Sequence, residues 1–367
     1  MIGERAAMKV LVAMSGGVDS AVTAAKMIAA GHEVSAVHLS LARSELAGRA
    51  GVSGCGSPAD EEDAKKVAAM LGIGIEIWDF SDRFADVVLT DFLSEYAAGR
   101  TPNPCLRCNE NIKFAALLDR GLELGYDMVA TGHYAQVKQG PDGPTLWRAV
   151  DDKKDQSYVL AVLKRHQLEH SIFPLGGMTK PQVRAEAAAL GIPVASKPDS
   201  TDICFIKDGD TAGFLREKLG DRPGQIVDTS GQVLGNHDGT FCYTIGQRKG
   251  LNIGTPAADG KPRYVIDINP VERKVVVGGA DKLFVNRLSC IKPSWTGDQP
   301  IGKWRGLVQV RAHGAPMPAT IEASENGVEY WLDEPCRGVA PGQYAVCYLG
   351  NQVIGSSVIA KAFTEES

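Results

Sequence analysis

Ser15-Gly16-Gly17-Val18-Asp19-Ser20 is the stretch that decides the fold of the first half of this chain. It follows the short apolar run 10–14, which is typical of a buried strand, and precedes the alanine-rich run 21–30, which predicts a helix ending at Gly31. Two glycines at such a turn let the backbone approach a phosphate, and the helix N-terminus offers unpaired N–H groups. The segment therefore predicts a nucleotide-binding loop, although an ordinary tight turn could have the same sequence.

The composition is that of a globular protein, with 367 residues of which 44% are hydrophobic and 23% charged. No apolar run reaches membrane-spanning length and residues 1–8 lack a secretory signal, so we expect a cytoplasmic protein with no membrane partner. Eight cysteines in a reducing compartment are more often catalytic, metal-binding or core residues than disulfides. The net charge of −5 comes from residues 1–99, with 14 acidic and 8 basic side chains, so a basic surface elsewhere stays open.

Strand-like and helix-like segments alternate through the first two hundred residues. Strands are predicted at 10–14, 34–39, 73–78 and 128–130, and helices at 21–30, 57–71, 82–98, 109–124 and 179–190. We therefore expect an α/β fold, a parallel sheet with helices on both faces, that binds ligands beyond the carboxyl ends of the strands.

Beyond residue 207 the pattern changes. A helix at 212–219 is followed by short strand-like runs at 264–268, 274–277, 306–310, 328–332 and 343–349. Such spacing is typical of small β-rich domains or barrels. We predict three domains: an ATP-binding α/β domain at 1–207, a small central domain at 208–283 and a C-terminal β-barrel at 284–367.

Two polar loops carry cysteines. In Thr101-Pro102-Asn103-Pro104-Cys105-Leu106-Arg107-Cys108-Asn109 the prolines should separate two helices and leave Cys108 at the start of the second, where the helix dipole favours a thiolate. A zinc site would need a second cysteine or histidine pair at the usual spacing, and the sequence has none. Cys204 alone would be interpreted as a core residue, but a second loop cysteine beside a nucleotide loop makes it a candidate thiol.

The segment Phe241-Cys242-Tyr243-Thr244-Ile245-Gly246-Gln247-Arg248-Lys249-Gly250 combines aromatic rings with two adjacent bases. Rings that stack on nucleobases beside cations that meet phosphates suit RNA. A β-hairpin with a charged tip explains the segment equally well.

Together these segments resemble the tRNA-specific 2-thiouridylase family of bacteria and mitochondria, through essentially the whole chain. The resemblance rests on the first loop, Asn103-Pro104-x-x-x-Cys108-Asn109, Thr131-Gly132-His133-Tyr134, Lys154-Asp155-Gln156-Ser157-Tyr158, Asp199-Ser200-Thr201-x-x-Cys204-Phe205-Ile206, Tyr243 to Gly250 and Pro341-Gly342-Gln343. The first loop is shared with other ATP pyrophosphatase-type enzymes, whereas the cysteine motifs and Gln-Arg-Lys-Gly are more selective.

The resemblance implies an adenine nucleotide alpha hydrolase-like first domain and a sulfurtransferase that 2-thiolates the wobble uridine of tRNA. ATP would adenylate the C2 oxygen, and a persulfide on Cys204 would attack C2. Cys108, the family's nucleophile, would attack this persulfide and end in a disulfide with Cys204. The partners implied are tRNA and a persulfide sulfur-donor protein, and ATP chemistry predicts Mg²⁺.

The resemblance also assigns binding positions. The ATP site corresponds to Ala13, Met14, Ser15, Gly16, Gly17, Val18, Asp19, Ser20, Leu39 and Gly132. The segment Asn103-Pro104-Cys105 corresponds to the contact with the target base, and further tRNA contacts correspond to His133, Lys154, Asp155, Gln156, Arg311, Ala312 and Gln343.

At three of these positions the chain departs from the family. Relatives often carry aspartate, considered a general acid or base, at position 105, and Cys105 cannot serve as a carboxylate. Position 312 is commonly tyrosine, so Ala312 offers no stacking. Position 39 is often methionine, and Leu39 conserves its volume.

Three alternatives remain at this point. Cys105, Cys108 and Cys204 could together hold an iron–sulfur cluster with one open iron that binds sulfide. The chain could be another ATP pyrophosphatase-type ligase or amidotransferase that acts on a small molecule. It could also be a nucleotide-binding redox sensor without enzymatic activity, which needs only the cysteine pair.

Overall fold

A computed structural model of the chain describes residues 7–41, 57–199, 203–206, 209–254, 260–325 and 327–365. Cys55 and the Ser200-Thr201-Asp202 part of the second cysteine motif lie outside these residues. No helix within the described ranges has the length and apolarity needed to cross a membrane.

Strands and helices alternate in the first part of the chain. Its strands are β1 (Lys9–Ala13), β2 (Glu33–Ser40), β3 (Ile75–Asp79), β4 (Met128–Ala130), β5 (Ala135–Gly140), β6 (Gly143–Arg148) and β7 (Ser171–Ile172). Its helices are α1 (Val18–Ala29), α2 (Pro58–Leu71), α3 (Ser81–Phe84, π-helical Ala85–Leu89 and Thr90–Ala97), α4 (Pro104–Cys108, π-helical Asn109–Ala116 and Leu117–Glu123), α5 (Ser157–Leu160), α6 (Arg165–Glu169) and α7 (Lys180–Ala189).

A five-stranded parallel sheet in the order β3-β2-β1-β4-β7 forms the centre of this part. One face packs on α1, α2 and α7 through a core that includes Val22, Val67 and Val183. The other face packs on α3 and α4 through a core that includes Val88 and Ile112. The predicted parallel sheet with helices on both faces is confirmed.

The strand order reverses between β1 and β4, so the loops that follow these two strands diverge from one point at the edge of the sheet. They lie in close contact, because a Cβ built on Gly132 would be 2.9 Å from the carbonyl carbon of Asp19. The Ser15–Ser20 loop therefore lies at the switch point of the sheet, where open α/β folds bind ligands.

The start of α4 differs from the prediction. Proline at the first helical position has its φ preset for a helix, and the Oδ1 of Asn103 caps this end by accepting a 3.1 Å hydrogen bond from the backbone N–H of Cys105. Pro104 thus begins the helix and does not delay it. The prediction that Cys108 lies at a helix start is wrong, since Cys105 occupies the first turn and Cys108 the turn after it.

The central region consists of α8 (Thr211–Leu219) and a four-stranded mixed sheet in the order β10-β11-β8-β9, in which only β11 and β8 pair in parallel. Its strands are β8 (Gly224–Val227), β9 (Val233–His237), β10 (Tyr264–Asn269) and β11 (Lys274–Gly278). Residues 241–250 do not form the hairpin that was one alternative for them, because a short 3₁₀ helix, Thr240–Cys242, is followed by turns. Arg248 and Lys249 are exposed there.

The last part of the chain forms a closed six-stranded antiparallel barrel. Its strands are β12 (Phe284–Trp295), β13 (Lys303–Gln309), β14 (Met317–Ala323), β15 (Val328–Arg337), β16 (Tyr344–Leu349) and β17 (Gln352–Phe363). The order β12-β15-β14-β13-β16-β17 closes because β12 also pairs with β17. The predicted terminal β-barrel is confirmed, while the division at 207/208 and 283/284 stays a prediction.

The hairpin β5–β6 was not predicted, and it belongs to the barrel sheet although it lies within the first two hundred residues. It joins β17 where Gln352 pairs with Trp147. Leu106 of α4 and Leu146 of β6 share a buried core with Tyr344 and Tyr348 of β16. The α/β part and the barrel are therefore packed together through one hydrophobic core.

Candidate active site

A cavity of about 260 Å³ opens at the switch point of the parallel sheet. It is lined by nine of the positions expected to bind ATP: Ala13, Met14, Ser15, Gly17, Val18, Asp19, Ser20, Leu39 and Gly132. Its other walls are formed by His38, Leu41, Asp60, Lys113, Thr131, His133, Tyr134, Lys154, Gln156, Lys197, Pro198 and Asp199.

The loop before α1 is shaped as a cradle for an anion. The Oγ of Ser20 donates to the carbonyl oxygen of Gly17 at 3.0 Å and accepts from the backbone N–H of Ser15 at 3.2 Å. Gly17 is the N-cap of α1 and supplies no side-chain acceptor, so the first-turn N–H groups face the cavity without a capping group. Such a helix end stabilises phosphate through its N–H groups and its dipole.

Gly16 does not line the cavity but is required by its shape. Its φ is +77°, and a Cβ built on it would lie 2.2 Å from the carbonyl oxygen of Asp60 at the start of α2. Only glycine combines this left-handed backbone with so close an approach.

Lys180 forms ion pairs with two carboxylates of the cavity wall, Asp19 and Asp199. The Nζ of Lys180 lies 2.8 Å from Oδ1 of Asp19 and 2.8 Å from Oδ1 of Asp199. Asp19 also accepts a 2.8 Å hydrogen bond from the hydroxyl of Tyr134. Lys154 donates to Asp199 at 2.6 Å, so Asp199 has two lysine partners. Desolvation raises the pKa of Asp199, but the hydrogen bonds from these lysines outweigh it and lower that pKa to about 2.

Lys197 connects the nucleotide loop to α2. Its Nζ donates to the carbonyl oxygen of Gly16 at 3.1 Å and to carboxylate oxygens of Asp60 and Asp63 at 2.7 Å each. Desolvation lowers the pKa of Lys197, but the hydrogen bonds with the two aspartates raise it overall. Lys197 therefore holds the loop where it meets the helix.

The core beneath α3 and α4 includes one candidate thiol and receives the neighbour of the other. Cys108 is a buried member of the core beneath α3 and α4, and Phe205, the neighbour of Cys204, packs against that core. Leu39 belongs to the same core and lines the nucleotide cavity. Among the cysteines that the structure describes, none forms a disulfide, and Cys105 is exposed whereas Cys204 is partly buried.

The residues present do not form a preset metal cage. Within the described ranges, no group of three or more histidine, cysteine, aspartate or glutamate side chains converges on one point. Cys105, Cys108 and Cys204 are all described, so they do not present the three converging thiolates that an iron–sulfur cluster needs. Mg²⁺ by contrast is commonly held by one or two carboxylates and substrate phosphates.

Gln343 lies next to the segment expected to contact the target base. Its Nε2 donates to the carbonyl oxygen of Thr101 at 2.8 Å, and the N–H of Thr101 donates to the carbonyl oxygen of Pro341 at 2.8 Å. A second cavity, of about 280 Å³, opens beside these contacts and is lined by Asp91, Glu95, Arg100, Pro102, Asn103, Arg107, Ile291, Lys292, Gly342, Tyr344, Val358, Ile359 and Ala360.

The other positions expected to contact tRNA do not all lie at one site. His133, Lys154 and Gln156 line the nucleotide cavity. His133 is buried between Phe114 and Phe173, and desolvation and the charge of Lys113 hold its pKa well below the usual range. Asp155 does not line this cavity, since its carboxylate accepts hydrogen bonds from Arg148, Ala149 and Ser157.

Arg311 and Ala312 lie in the barrel. The guanidinium of Arg311 donates to the carbonyl oxygens of Arg337 and Gly338, and Ala312 packs against the core that the barrel shares with α4. No contact joins them to the nucleotide cavity within the described residues.

Several residues in or beside the cavity are not evident from the sequence. Nothing in the local sequence of Lys180 indicates that its ammonium reaches Asp19, 161 positions away. Tyr134 and Asp199 stood in quoted motifs without a role. His38 lies in an apolar strand, where alternation along β2 was the only available signal.

Family models match nearly the whole chain in three segments. They are described as a tRNA methyl transferase HUP domain at residues 8–208, a tRNA methyl transferase PRC-barrel domain at 212–279 and an aminomethyltransferase beta-barrel domain at 285–359.

Curated relatives match over nearly their full length, and each is called tRNA-specific 2-thiouridylase MnmA. The protein of Cutibacterium acnes is 58% identical over 96% of this chain and 96% of its own length. That of Acidothermus cellulolyticus is 57% identical over 96% of this chain and 98% of its own length. Among solved structures, NMN synthetase from Francisella tularensis is similar with a TM-score of 0.34 and 17% identity, over 58% of this chain and 72% of the other.

Proposed function

The chain belongs to the tRNA-specific 2-thiouridylase family, and we propose that it uses ATP and persulfide sulfur to replace the C2 oxygen of the wobble uridine in tRNA anticodons. It is a tRNA sulfurtransferase that uses ATP. One observation supports the mechanism most directly. Cys108 and Leu39 belong to the same core, against which Phe205 packs, and Leu39 also lines the nucleotide cavity. One core thus connects Cys108 to the wall of the nucleotide cavity.

The first step activates the uridine. The C2 oxygen of the uridine attacks the α-phosphorus of ATP, the bond to the bridging oxygen breaks, and pyrophosphate leaves. The N–H groups at the start of α1 and the loop around Ser15 and Ser20 would hold the phosphates. Lys154 and Lys197 in the cavity wall add positive charge to this end of the site. Mg²⁺ would arrive with the nucleotide, held by its phosphates and by a carboxylate such as Asp19.

The second step transfers sulfur. The terminal sulfur of a persulfide on Cys204 forms a bond to C2, and the C2–O bond breaks with AMP as the leaving group. The thiolate of Cys108 then attacks the Sγ of Cys204, which breaks the sulfur–sulfur bond and releases the 2-thiouridine. The transferred sulfur is reduced and the two cysteines are oxidised to a disulfide, so an external thiol reductant must restore them. A persulfide-carrying protein must reload Cys204.

The tRNA would lie along the junction between α4 and the barrel. Asn103, which precedes Pro104 and Cys105, lines the second cavity together with Arg100, Arg107 and Lys292. These three cationic side chains could bind the phosphates of an anticodon loop. Asp91 and Glu95 line the same cavity. The uridine must leave the base stack before its C2 can react, as in other enzymes that modify bases. His133, Lys154, Asp155, Gln156, Arg311, Ala312 and Gln343 stay proposed tRNA contacts, direct or through the fold.

The test is mass spectrometry of tRNA nucleosides after incubation of the protein with tRNA, ATP, polysulfide as the source of persulfide sulfur, and a thiol reductant. We expect 2-thiouridine, formed with release of AMP and pyrophosphate. A methylated nucleoside, or ATP turnover with a small acid and no change in tRNA, would overturn the proposal. Failure to turn over ATP with any RNA would favour a redox sensor instead.

The same reaction separates the two sulfur mechanisms. A colourless, iron-free protein that is active supports the persulfide route. Activity that requires anaerobic reconstitution with iron and follows visible absorbance would favour the cluster.

A further inference from the structure

His38 is a buried polar residue of the nucleotide cavity that the proposed mechanism does not use. It is 1% exposed, lies near the carboxyl end of β2 and lines the cavity. Its neighbours on the strand, Val37 and Leu39, belong to the core beneath α3 and α4, so the alternation of the strand directs His38 to the opposite face. The residue is therefore placed by the sheet and not by a flexible loop.

The hydrogen bonding of the ring defines which nitrogen is available. The Nδ1 of His38 lies 2.8 Å from the carbonyl oxygen of Met14. A carbonyl can only accept, so Nδ1 carries the hydrogen and a neutral ring leaves a lone pair on Nε2. This Nε2 is fully buried and has no hydrogen-bond partner among the described residues. A buried acceptor without a donor is rare, and at the wall of a ligand cavity it indicates a donor on the ligand.

The chemistry of ATP limits what that donor is. The ionised phosphates offer only acceptors, so the Nε2 lone pair of a neutral ring cannot bind the triphosphate. Donors are found on the sugar hydroxyls and the adenine amino group. His38 contacts Met14, which leads into the phosphate-binding loop, and precedes Leu39, part of the apolar wall. A position between the phosphate end and the apolar end is that of the sugar.

We infer that the Nε2 of His38 accepts a hydrogen bond from a sugar hydroxyl of bound ATP. This inference rests on the proposed function, because it requires that ATP occupies this cavity. His38 would then select nucleotides that carry this hydroxyl, since a deoxynucleotide leaves the buried acceptor unpaired.

The test compares binding of ATP, 2′-deoxyATP and 3′-deoxyATP to the full-length protein by titration calorimetry. We expect the wild type to bind one of the deoxynucleotides about tenfold more weakly than ATP. In His38→Phe, which removes the acceptor, ATP should weaken by that factor and the difference should disappear. In His38→Gln, whose amide can donate to Met14 and accept from the ligand, much of the difference should remain.

The matched control is His237, a second buried histidine whose Nδ1 has no partner among the described residues but which lies in the central region, away from this cavity. His237→Phe should keep the wild-type preference. Undiminished discrimination in a folded His38→Phe, or equal binding of all three nucleotides by the wild type, would overturn the inference while leaving the proposed function intact. A wild type that does not bind ATP would overturn both.

Discussion

The side chain of Gln343 in the barrel donates a 2.8 Å hydrogen bond to the carbonyl oxygen of Thr101, two residues before Asn103 in the segment proposed to meet the target base. The N–H of Thr101 donates in turn to the carbonyl oxygen of Pro341, so both backbone polar groups of Thr101 are bound by the barrel region. The barrel thereby positions the start of α4, the helix that carries Cys105 and Cys108.

Gln343→Ala should therefore lower tRNA thiolation by about fivefold while ATP affinity is unchanged, because it removes a donor worth about 1 kcal/mol from a partly buried carbonyl. Gln343→Glu should behave alike, since a carboxylate cannot donate. The exposed Gln225 of β8 provides the control, and Gln225→Ala should be fully active. Single-turnover thiolation and nucleotide binding measure the two effects. A loss of ATP affinity equal to the loss of thiolation would contradict a positioning role.

Cys108→Ala and Cys204→Ala should each lower thiolation by about a thousandfold or more, because each removes a sulfur that forms a bond in the transfer step. ATP binding should survive in both. Cys105→Ser should stay active, since Cys105 is exposed and takes no part in the proposed exchange. Cys347→Ala, which alters a buried barrel thiol, controls for stability. Inactivity of Cys105→Ser with normal folding would instead indicate that three thiols act together.

Lys180→Met should weaken ATP binding and lower the free energy of unfolding by about 2 kcal/mol, because Asp19 and Asp199 lose the ammonium between them. The pair Lys26–Glu186, at 3.6 Å on the surface, offers the comparison. Lys26→Met should change stability by less than about 0.5 kcal/mol. Urea denaturation and nucleotide titration measure both variants. Equal destabilisation by the two substitutions would argue against a special role for Lys180.

Asp199 should contribute an acid-sensitive part of the stability. Its pKa falls from 3.8 to about 2 in the folded protein, so its contribution is complete above about pH 4 and is lost as the pH falls towards 2. Asp199→Asn should be less stable than the wild type at pH 7 by about 2 kcal/mol, and the difference should shrink through this range. Urea midpoints at several pH values provide the measurement. Asp298→Asn, at a carboxylate 83% exposed, should show no such trend.

Gly16→Ala should reduce both stability and ATP affinity, because its Cβ would collide with the backbone of Asp60. Gly31 has a similar φ of +80° but nothing within 4 Å of its Cβ position. Gly31→Ala should therefore show only the backbone strain, about 1 kcal/mol, with normal ATP binding. If the two variants lose stability equally and both bind ATP, the close approach at Gly16 is not required for ATP binding.

Local patterns predicted the parts of the fold that depend on local interactions. Ser57 accepts from the N–H of Asp60 at the expected cap of α2, and Gly72 ends that helix with φ +70°. The placement of Pro104 was wrong because a proline is compatible with both the end of one helix and the first turn of the next, and only the Asn103 cap decides between them.

The site was predictable where its residues are contiguous and not where they meet by folding. The shape of the Ser15–Ser20 loop is determined locally, by its two glycines and the helix that follows. Lys180 contacts Asp19 across 161 positions, and Gln343 contacts Thr101 across 242 positions. No periodicity of the sequence predicts such contacts. The hairpin β5–β6 is a local element that was missed, and only its attachment to β17 depends on a distant partner.

That hairpin has a consequence for how the protein is made. The hydroxyl of Tyr158 donates to the carbonyl oxygen of Tyr344, 186 residues later, and the core around Leu146 is completed by strand β16. Until β16 and β17 have been synthesised, β6 lacks its neighbour in the barrel sheet and the apolar surface around Leu146 stays uncovered. Strands from the barrel therefore complete a core that begins in the nucleotide-binding half.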